Sequence, residues 1–432
     1  MARTVLKFGG TSVGDLDRIA NVADIVAARA KQGEHMAVVV SAMAGETNKL
    51  VALAEGAAGT GLARDQFDDE YDVVVASGEQ VTAGLLALAL RKRGWRIHLA
   101  TDHRVESYGQ DFPAQEVHLI SSATLTSSPV AAFVGLAKLG RGMIQAWSLL
   151  RRLKPSVAIG FGGYPTLPPI LAAARLHIPT VIHEQNAVLG RANGFLAPLA
   201  TAIATSLPEV RGAEKFIAKS VQTGNPVRPA VLEAAETPYP ALGPDDPVRL
   251  LVFGGSQGAR FMSDLVPPAI GLLAPDTRAR LAIVQQCRPE DMERVRAAYA
   301  EMEVAADLQP FFRDLPARIA ASHLVVSRSG ASTCAELSVI GRPAIMVPLP
   351  GALDQDQKAN ATVLAAAGGG WMVEQKDMNP VRLAGDLTRL MGDPARLSAA
   401  AAAARAAGRP DAVERLADLA ERVAAGATGV TA

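Results

Sequence analysis

Cysteine is almost missing: Cys287 and Cys334 are the two thiols in 432 residues. With no histidine pair at metal-ligand spacing from either, a disulfide framework is excluded, no metal site is expected, and both read as small buried residues. Net charge is missing as well. Lysine plus arginine and aspartate plus glutamate balance at 43 each, so bulk electrostatics do not point to nucleic acid as a partner. No run of about eighteen residues lacks charges and turn formers, which excludes a membrane-spanning helix. The opening MARTVLKFGG has too short an apolar segment and no small-residue cleavage site for a signal peptide, so the chain is expected to stay in the cytoplasm.

What is present is alternation. Short apolar runs (TVLKF, MAVVVS) are followed by longer helical patterns, which argues for α/β architecture with parallel sheets covered by helices. A chain of 432 residues is long enough for two or three domains. The stretch LLVFGGSQGARFMSDLV, from Leu250 to Val266, runs from an apolar strand through a glycine-rich turn into a helix. Glycines 254, 255 and 258 let the backbone approach an anion, and the unpaired N–H groups of the helix start point at that charge. A second such unit, VAIGFGGYPTLPPILAAARL, starts at Val157. Two units predict two nucleotide-fold domains facing across a cleft, with ligand at the carboxyl ends of the strands. The proline- and acid-rich segment 233–246 reads as the linker between them. In the last helix, Val413, Leu416, Leu419 and Val423 share one face and should pack on a domain.

Six motifs in fixed order carry a resemblance: GFGGYPTLP at Gly160, HEQNAVLGRAN at His183, GNPVR at Gly224, GGSQGAR at Gly254, SRSGASTCAEL at Ser327 and DQDQKANA at Asp354. From about Leu90 to the C-terminus the chain resembles the MurG family, peripheral membrane N-acetylglucosaminyltransferases that convert lipid I to lipid II in peptidoglycan synthesis. That resemblance implies two Rossmann-like domains of the GT-B type. It also departs from the family at its front, where the GGTGGH loop and its histidine are missing. Met1 to about Leu88 instead resembles the N-terminal part of aspartate kinases, through VLKFGGTSVGD at Val5, VVVSAMAGETNKL at Val38 and DVVVASGEQVTAGLLALAL at Asp72. The implied organisation is a partial kinase-like α/β appendage over 1–70, an acceptor- and membrane-side domain over 71–232 with a foreign first strand and loop, the linker, and a donor domain over 247–425. Counting back from Leu90 sets Gly78 on a glycine of the missing loop and Glu79 on its histidine.

The resemblance implies roles for residues of this chain. UDP-N-acetylglucosamine would rest on Gly255, Ser256, Gln257 and Gly258 through its diphosphate, on Glu336 through its ribose, and on Asp354, Gln357 and Asn360 through its sugar hydroxyls, with Arg228 near the leaving diphosphate. Tyr164, Thr166, Glu184, Asn186 and Asn193 would line the lipid I side. Glu79 is the candidate base. His183 reads equally as a catalytic residue at the cleft or as a structural histidine satisfied by backbone. No cofactor is expected. The segment 131–154 sets Phe133, Leu136, Met143, Ile144, Trp147 and Leu150 beside Lys138, Arg141, Arg151, Arg152 and Lys154, which suits either an anionic membrane surface or a domain core. The expected protein is an inverting glycosyltransferase at the cytoplasmic face of the bacterial inner membrane. Two alternatives stay open: a donor-binding chain whose hybrid loop impairs transfer, and an aspartate kinase. In the kinase segment Lys7, Gly9, Gly10, Thr11, Ser12 and Ser41 would serve, but the rest of a kinase nucleotide site is missing.

Overall fold

The computed structural model describes residues 3–8, 35–40, 77–102, 116–122, 129–243, 245–351 and 355–426; for 3–8, 35–40, 77–81, 129–134 and 255–259 only the backbone is described. The chain divides into two units, Met1–Val75 and Ala76–Ala432. In the first, β1 (Arg3–Phe8) and β2 (His35–Val40) form a parallel ladder in register from Arg3 opposite His35 to Phe8 opposite Val40. Both apolar runs are therefore strands. Gly9 to Ser12 and Ser41 lie outside the described residues.

The second unit holds two lobes. The first lobe opens with α1 (Ser77–Lys92), then the two-stranded parallel ladder β3 (His98–Thr101) and β4 (Glu116–Leu119), and α2 (Pro129–Leu153). Its main sheet is β5 (Ala158–Gly160), β6 (Thr180–Glu184), β7 (Ala202–Thr205) and β8 (Ser220–Gln222), parallel and in sequence order. Every residue of β6 and β7 is buried, as expected of parallel strands covered on both faces. Between β5 and β6 runs α3 (Leu167–Arg175), opened by Pro168 and Pro169 where the helix needs no N–H donors, and between β6 and β7 runs α4 (Arg191–Leu196).

After α5 (Pro229–Ala235), the second lobe builds a six-stranded sheet from β9 (Val248–Phe253), β10 (Leu281–Gln286), β11 (Ala306–Gln309), β12 (Leu324–Ser327), β13 (Ala344–Met346) and β14 (Gly370–Met372). Its helices are α6 (Gly255–Gly271), α7 (Pro275–Ala279), α8 (Met292–Glu301), α9 (Leu315–Ala321), α10 (Ala331–Ile340), α11 (Asp356–Ala366), α12 (Pro380–Met391) and α13 (Pro394–Ala407). The strand order is β11-β10-β9-β12-β13-β14, so the chain moves outward from β9 and then returns to β9's other side. That reversal is the place where a doubly wound sheet opens a crevice.

The lobes join twice, and earlier than the proline-rich segment suggests. Thr223 and Gly224 still bond to the carbonyl of Thr205 on β7, whereas Val227 and Val231 are buried in the second lobe's core with Phe253 and Leu337. The first crossing is therefore at Gly224 to Pro226, and α5, read as the end of the first domain and start of a linker, packs on α9 and α10. The return crossing follows Gly408. The last helix, α14 (Ala412–Ala424), lies against α1, β6 and β7 and completes the first lobe. Leu416, Leu419 and Val423 share that core with Leu86, Leu90 and Val181.

Candidate active site

At the strand-order reversal, Phe253 of β9 is paired with Ser327 of β12. Two helix starts, α6 at Gly255 and α10 at Ala331, therefore stand side by side above the sheet. Gly255, Ser256, Gln257 and Gly258 form the first turn of α6, whose backbone N–H groups have no partner within the helix. The side chains of Ser256 and Gln257 are outside the described residues, as is Asp354.

Glu336 projects from α10 and is 8% exposed. Its Oε1 accepts a hydrogen bond from Arg228 Nη2 at 2.8 Å, and Arg228 itself is half-exposed at the start of α5. Burial pushes the Glu336 carboxyl above its ordinary pKa, and the Arg228 charge pulls it back. The pair presents a partly neutralised acid and a cation beside two helix N-termini, a combination suited to a nucleoside diphosphate: hydroxyls for the acid, phosphate oxygens for the cation and the amides.

Gln357 sits at the start of α11. Its Oε1 accepts from Leu349 N at 3.0 Å and Ser329 N at 3.4 Å, so the side chain is fixed by backbone and the amide NH2 is the group it can offer a ligand. Asn360 departs from expectation. It is 1% exposed, its Oδ1 accepts from Ala187 N at 2.7 Å, and its Nδ2 donates to Asn186 Oδ1 at 2.9 Å and Ser329 O at 3.3 Å. Both donors are consumed, and the bonds with Asn186 and Ala187 cross between the lobes. Asn360 is a latch, and a sugar hydroxyl would have to break it.

Two acceptor-side residues are likewise bonded within the protein. Glu184 is 3% exposed and accepts from Asn186 N, Gly190 N and Asn193 Nδ2 at 3.0, 2.9 and 2.9 Å. Burial raises its pKa against those bonds. Asn193 is also buried and donates to the His183 carbonyl at 3.1 Å. Glu184 and Asn193 thus shape the loop from Gln185 to Arg191 from inside, instead of presenting polar groups to the cleft. His183 is fully buried, with Nε2 3.1 Å from Gly224 O, and burial lowers its pKa to about 4. A neutral ring bolting β6 to the crossing at Gly224 fits the structural reading. Tyr164 and Thr166 form a 3-10 turn after β5, where Thr166 Oγ1 donates to Gly162 O. Glu79 lies in the first turn of α1; three residues on, Thr82 Oγ1 donates to Asn225 Oδ1 at 3.3 Å, which brings that end of the helix to the GNPVR crossing.

Arg328 escaped the sequence reading. Buried, with its pKa lowered to about 10 by burial, it donates to the carbonyls of Val347 and Pro348 at 3.0 and 3.1 Å and to Gln375 Oε1 at 2.7 Å. It braces the loops after β12 and β13. The signal was an arginine directly after the apolar run LVVS, a charge that a buried strand end must satisfy.

Residues 81–205 match the family described as the Glycosyltransferase family 28 N-terminal domain, and residues 249–416 match the Glycosyltransferase family 28 C-terminal domain. Residues 2–125 match the Amino acid kinase family, so the two resemblances overlap across 81–125. A UDP-N-acetylglucosamine–N-acetylmuramyl-(pentapeptide) pyrophosphoryl-undecaprenol N-acetylglucosamine transferase from Methylobacterium sp. (strain 4-46) is 58% identical over 354 residues, 81% of this chain and 95% of the relative. A protein of the same name from Methylobacterium nodulans is 59% identical over 346 residues, 79% of this chain and 93% of the relative. Among solved structures, MurG of Acinetobacter baumannii aligns with a TM-score of 0.67 at 29% identity, covering 80% of this chain and 97% of that one.

Proposed function

The chain belongs to glycosyltransferase family 28, in the group of the N-acetylglucosaminyltransferases acting on pyrophosphoryl-undecaprenol-linked N-acetylmuramyl-pentapeptide, and from that premise we propose that it carries out their reaction. It transfers N-acetylglucosamine from its UDP donor to the lipid-linked acceptor, making lipid II from lipid I. The observation that carries the reading is the buried Glu336 held by Arg228 beside the starts of α6 and α10, at the strand-order reversal.

In the reaction an acceptor hydroxyl oxygen bonds to the anomeric carbon as the bond to the diphosphate breaks, with inversion. The hydroxyl proton goes to a base and the negative charge to UDP. Amides of the first turn of α6 and the Arg228 guanidinium would meet that charge, fixed in place before it develops. Glu336 would accept hydrogen bonds from the ribose hydroxyls, and the Gln357 amide would reach the sugar. Glu79, at the α1 start, is the proposed base. A second reading is favoured by one observation: the kinase-family match runs across the junction to residue 125, so the catalytic loop is foreign, and donor binding with slow transfer is its expected signature.

The acceptor's lipid places the reaction at a membrane surface, and no described helix is long and apolar enough to cross one. On α2, Leu136 and Ile144 are 64% and 73% exposed, Lys138 and Arg141 are exposed on the same helix, and Ala146, Leu149 and Leu150 pack inward. We infer that this outer stripe rests on the anionic inner face of the membrane, two apolar side chains inserted within a basic rim.

The test is transfer from UDP-N-acetylglucosamine to a lipid I analogue, run beside a chain whose first 88 residues are replaced by a GGTGGH opening. Measurable transfer that Glu79→Gln abolishes supports the assignment with that base. Calorimetric silence toward the donor would sink it. For the membrane, Leu136→Glu with Ile144→Glu should cut sedimentation with anionic vesicles several-fold and leave donor binding intact; unchanged sedimentation rejects that face.

A further inference from the structure

The ladder β3–β4 carries a cluster that the transferase reading does not use. Register pairs His98 with Glu116 and Ala100 with His118, and side chains two apart on a strand share a face. His98, Glu116 and His118 therefore project to one side. His98 Nδ1 is 3.2 Å from His118 Nε2, and the same Nε2 is 3.7 Å from Glu116 Oε2. All three ligand-type atoms lie within 4.8 Å of one another. A tetrahedral zinc site with arms of about 2.0–2.1 Å has donor atoms about 3.3–3.4 Å apart along each edge. Two of these separations already sit close to that edge.

The Nε2 of His118 faces a nitrogen and a carboxylate oxygen at once, and one imidazole proton cannot serve both. A dication satisfies all three lone pairs, and Glu116 supplies the negative charge that offsets Arg152.

We propose that His98, Glu116 and His118 form a binding site for a zinc-type divalent cation, with water completing a four-coordinate shell. The site ties the amino-terminal half of the ladder together. The other end is tied already, by Ser122 Oγ donating to Asp102 Oδ2 at 2.5 Å and Ile120 N donating to Thr101 O at 2.7 Å. A two-stranded ladder is marginal alone, and a metal bridge at the open end would fix the strands that lead toward the cleft.

The experiment uses the full chain without a polyhistidine tag, stripped with chelator and titrated calorimetrically with Zn2+ and, separately, Mg2+. One Zn2+ per chain in the micromolar range or tighter, no Mg2+ heat, and a melting temperature that rises with Zn2+ concentration are expected. Glu116→Gln, at an exposed position, should weaken Zn2+ by tenfold or more, and His98→Gln or His118→Gln should abolish stoichiometric binding. Absence of stoichiometric Zn2+ in the unaltered chain overturns the proposal, as does affinity unchanged in the three variants. If a histidine variant does not fold, Co2+ loading of the unaltered chain decides. Intense four-coordinate visible bands without a thiolate charge-transfer band support the site; a weak six-coordinate spectrum or a thiolate band rejects it.

Discussion

Arg228 and Glu336 hold each other at 2.8 Å with unequal burial, the acid nearly closed off and the base half in water. Removing the guanidinium leaves a buried carboxylate unpaired; with Arg228 half-solvated, Arg228→Ala should cost about 1–2 kcal/mol of stability. On the proposed donor binding the same variant would lose a phosphate contact, and Glu336→Gln a charged acceptor for ribose, so calorimetry should show UDP-N-acetylglucosamine bound about tenfold to hundredfold more weakly in each. Equal affinity in both would remove them from the donor site. His183 yields a pH prediction. Its folded pKa of about 4 lies below the unfolded value of about 6.5, so between those limits the unfolded chain binds a proton that the native ring refuses, and stability falls as pH falls. Lowering pH from 7 to 5 should cost about 2 kcal/mol from this group. Glu184 and Glu336, with raised pKa values, work in the opposite sense, since the native state takes up their protons first. Urea titrations of the chain and of His183→Asn, whose amide can still donate to Gly224 O, isolate the histidine: the variant should show the smaller pH slope. The motifs told which segments meet at the cleft, because glycine turns and helix starts are local features. They did not tell which way a polar side chain turns. Asn360 and Glu184 stand in the right loops, yet their partners, Ala187 for the one and Gly190 and Asn193 for the other, are decided by tertiary packing.

Helix α1 comes from the kinase-like stretch, yet it is seated as a member of the first lobe. Leu86 and Leu90 enter the core shared with α14, Arg93 Nη1 donates to Asp418 and Glu421 at 2.7 and 2.9 Å, and Trp95 Nε1 donates to Glu421 at 3.0 Å. The borrowed strand before it lies outside the described residues. The shared core makes the C-terminal helix a structural part of the first lobe, so Leu419→Ala, at a fully buried position, should lower stability by roughly 2–5 kcal/mol. Denaturation followed by tryptophan fluorescence checks it; a loss below about 1 kcal/mol would mean that α14 is only loosely applied. The apolar spacing along 413–423 made this helix and its buried stripe readable from sequence. The ladder β3–β4 was not readable as a site: eighteen positions separate His98 from Glu116, and only the strand register sets them face to face.

Among the described residues of the second unit, the two lobes are joined by two chain crossings and by the polar latch at Asn360. The crossings touch. Gly224 has φ of +88°, and a Cβ there would stand 2.6 Å from Arg409 Cβ and 2.9 Å from Ala412 Cβ. Glycine is required twice over, for a left-handed backbone and for the close approach of the returning chain. Neither neighbouring atom is the tip of a flexible side chain, so the crossings would have to part. Gly224→Ala should therefore cost on the order of 1–3 kcal/mol from backbone strain alone, with the clash added, and lower the melting temperature by several degrees. Its functional effect follows from position. Asn225 contacts Thr82 on α1, and Arg228, which holds Glu336, lies three residues further along, so a displaced crossing shifts the first lobe's cleft edge and the cation of the proposed donor site together. Misplacement by about an ångström is enough to slow transfer by about a hundredfold while the donor still binds. The expected result for Gly224→Ala is a larger fall in turnover than in UDP-N-acetylglucosamine affinity, measured by transfer rate and calorimetry on the same preparation. An unchanged rate with a lowered melting temperature would show that the crossing holds the lobes together without setting their alignment.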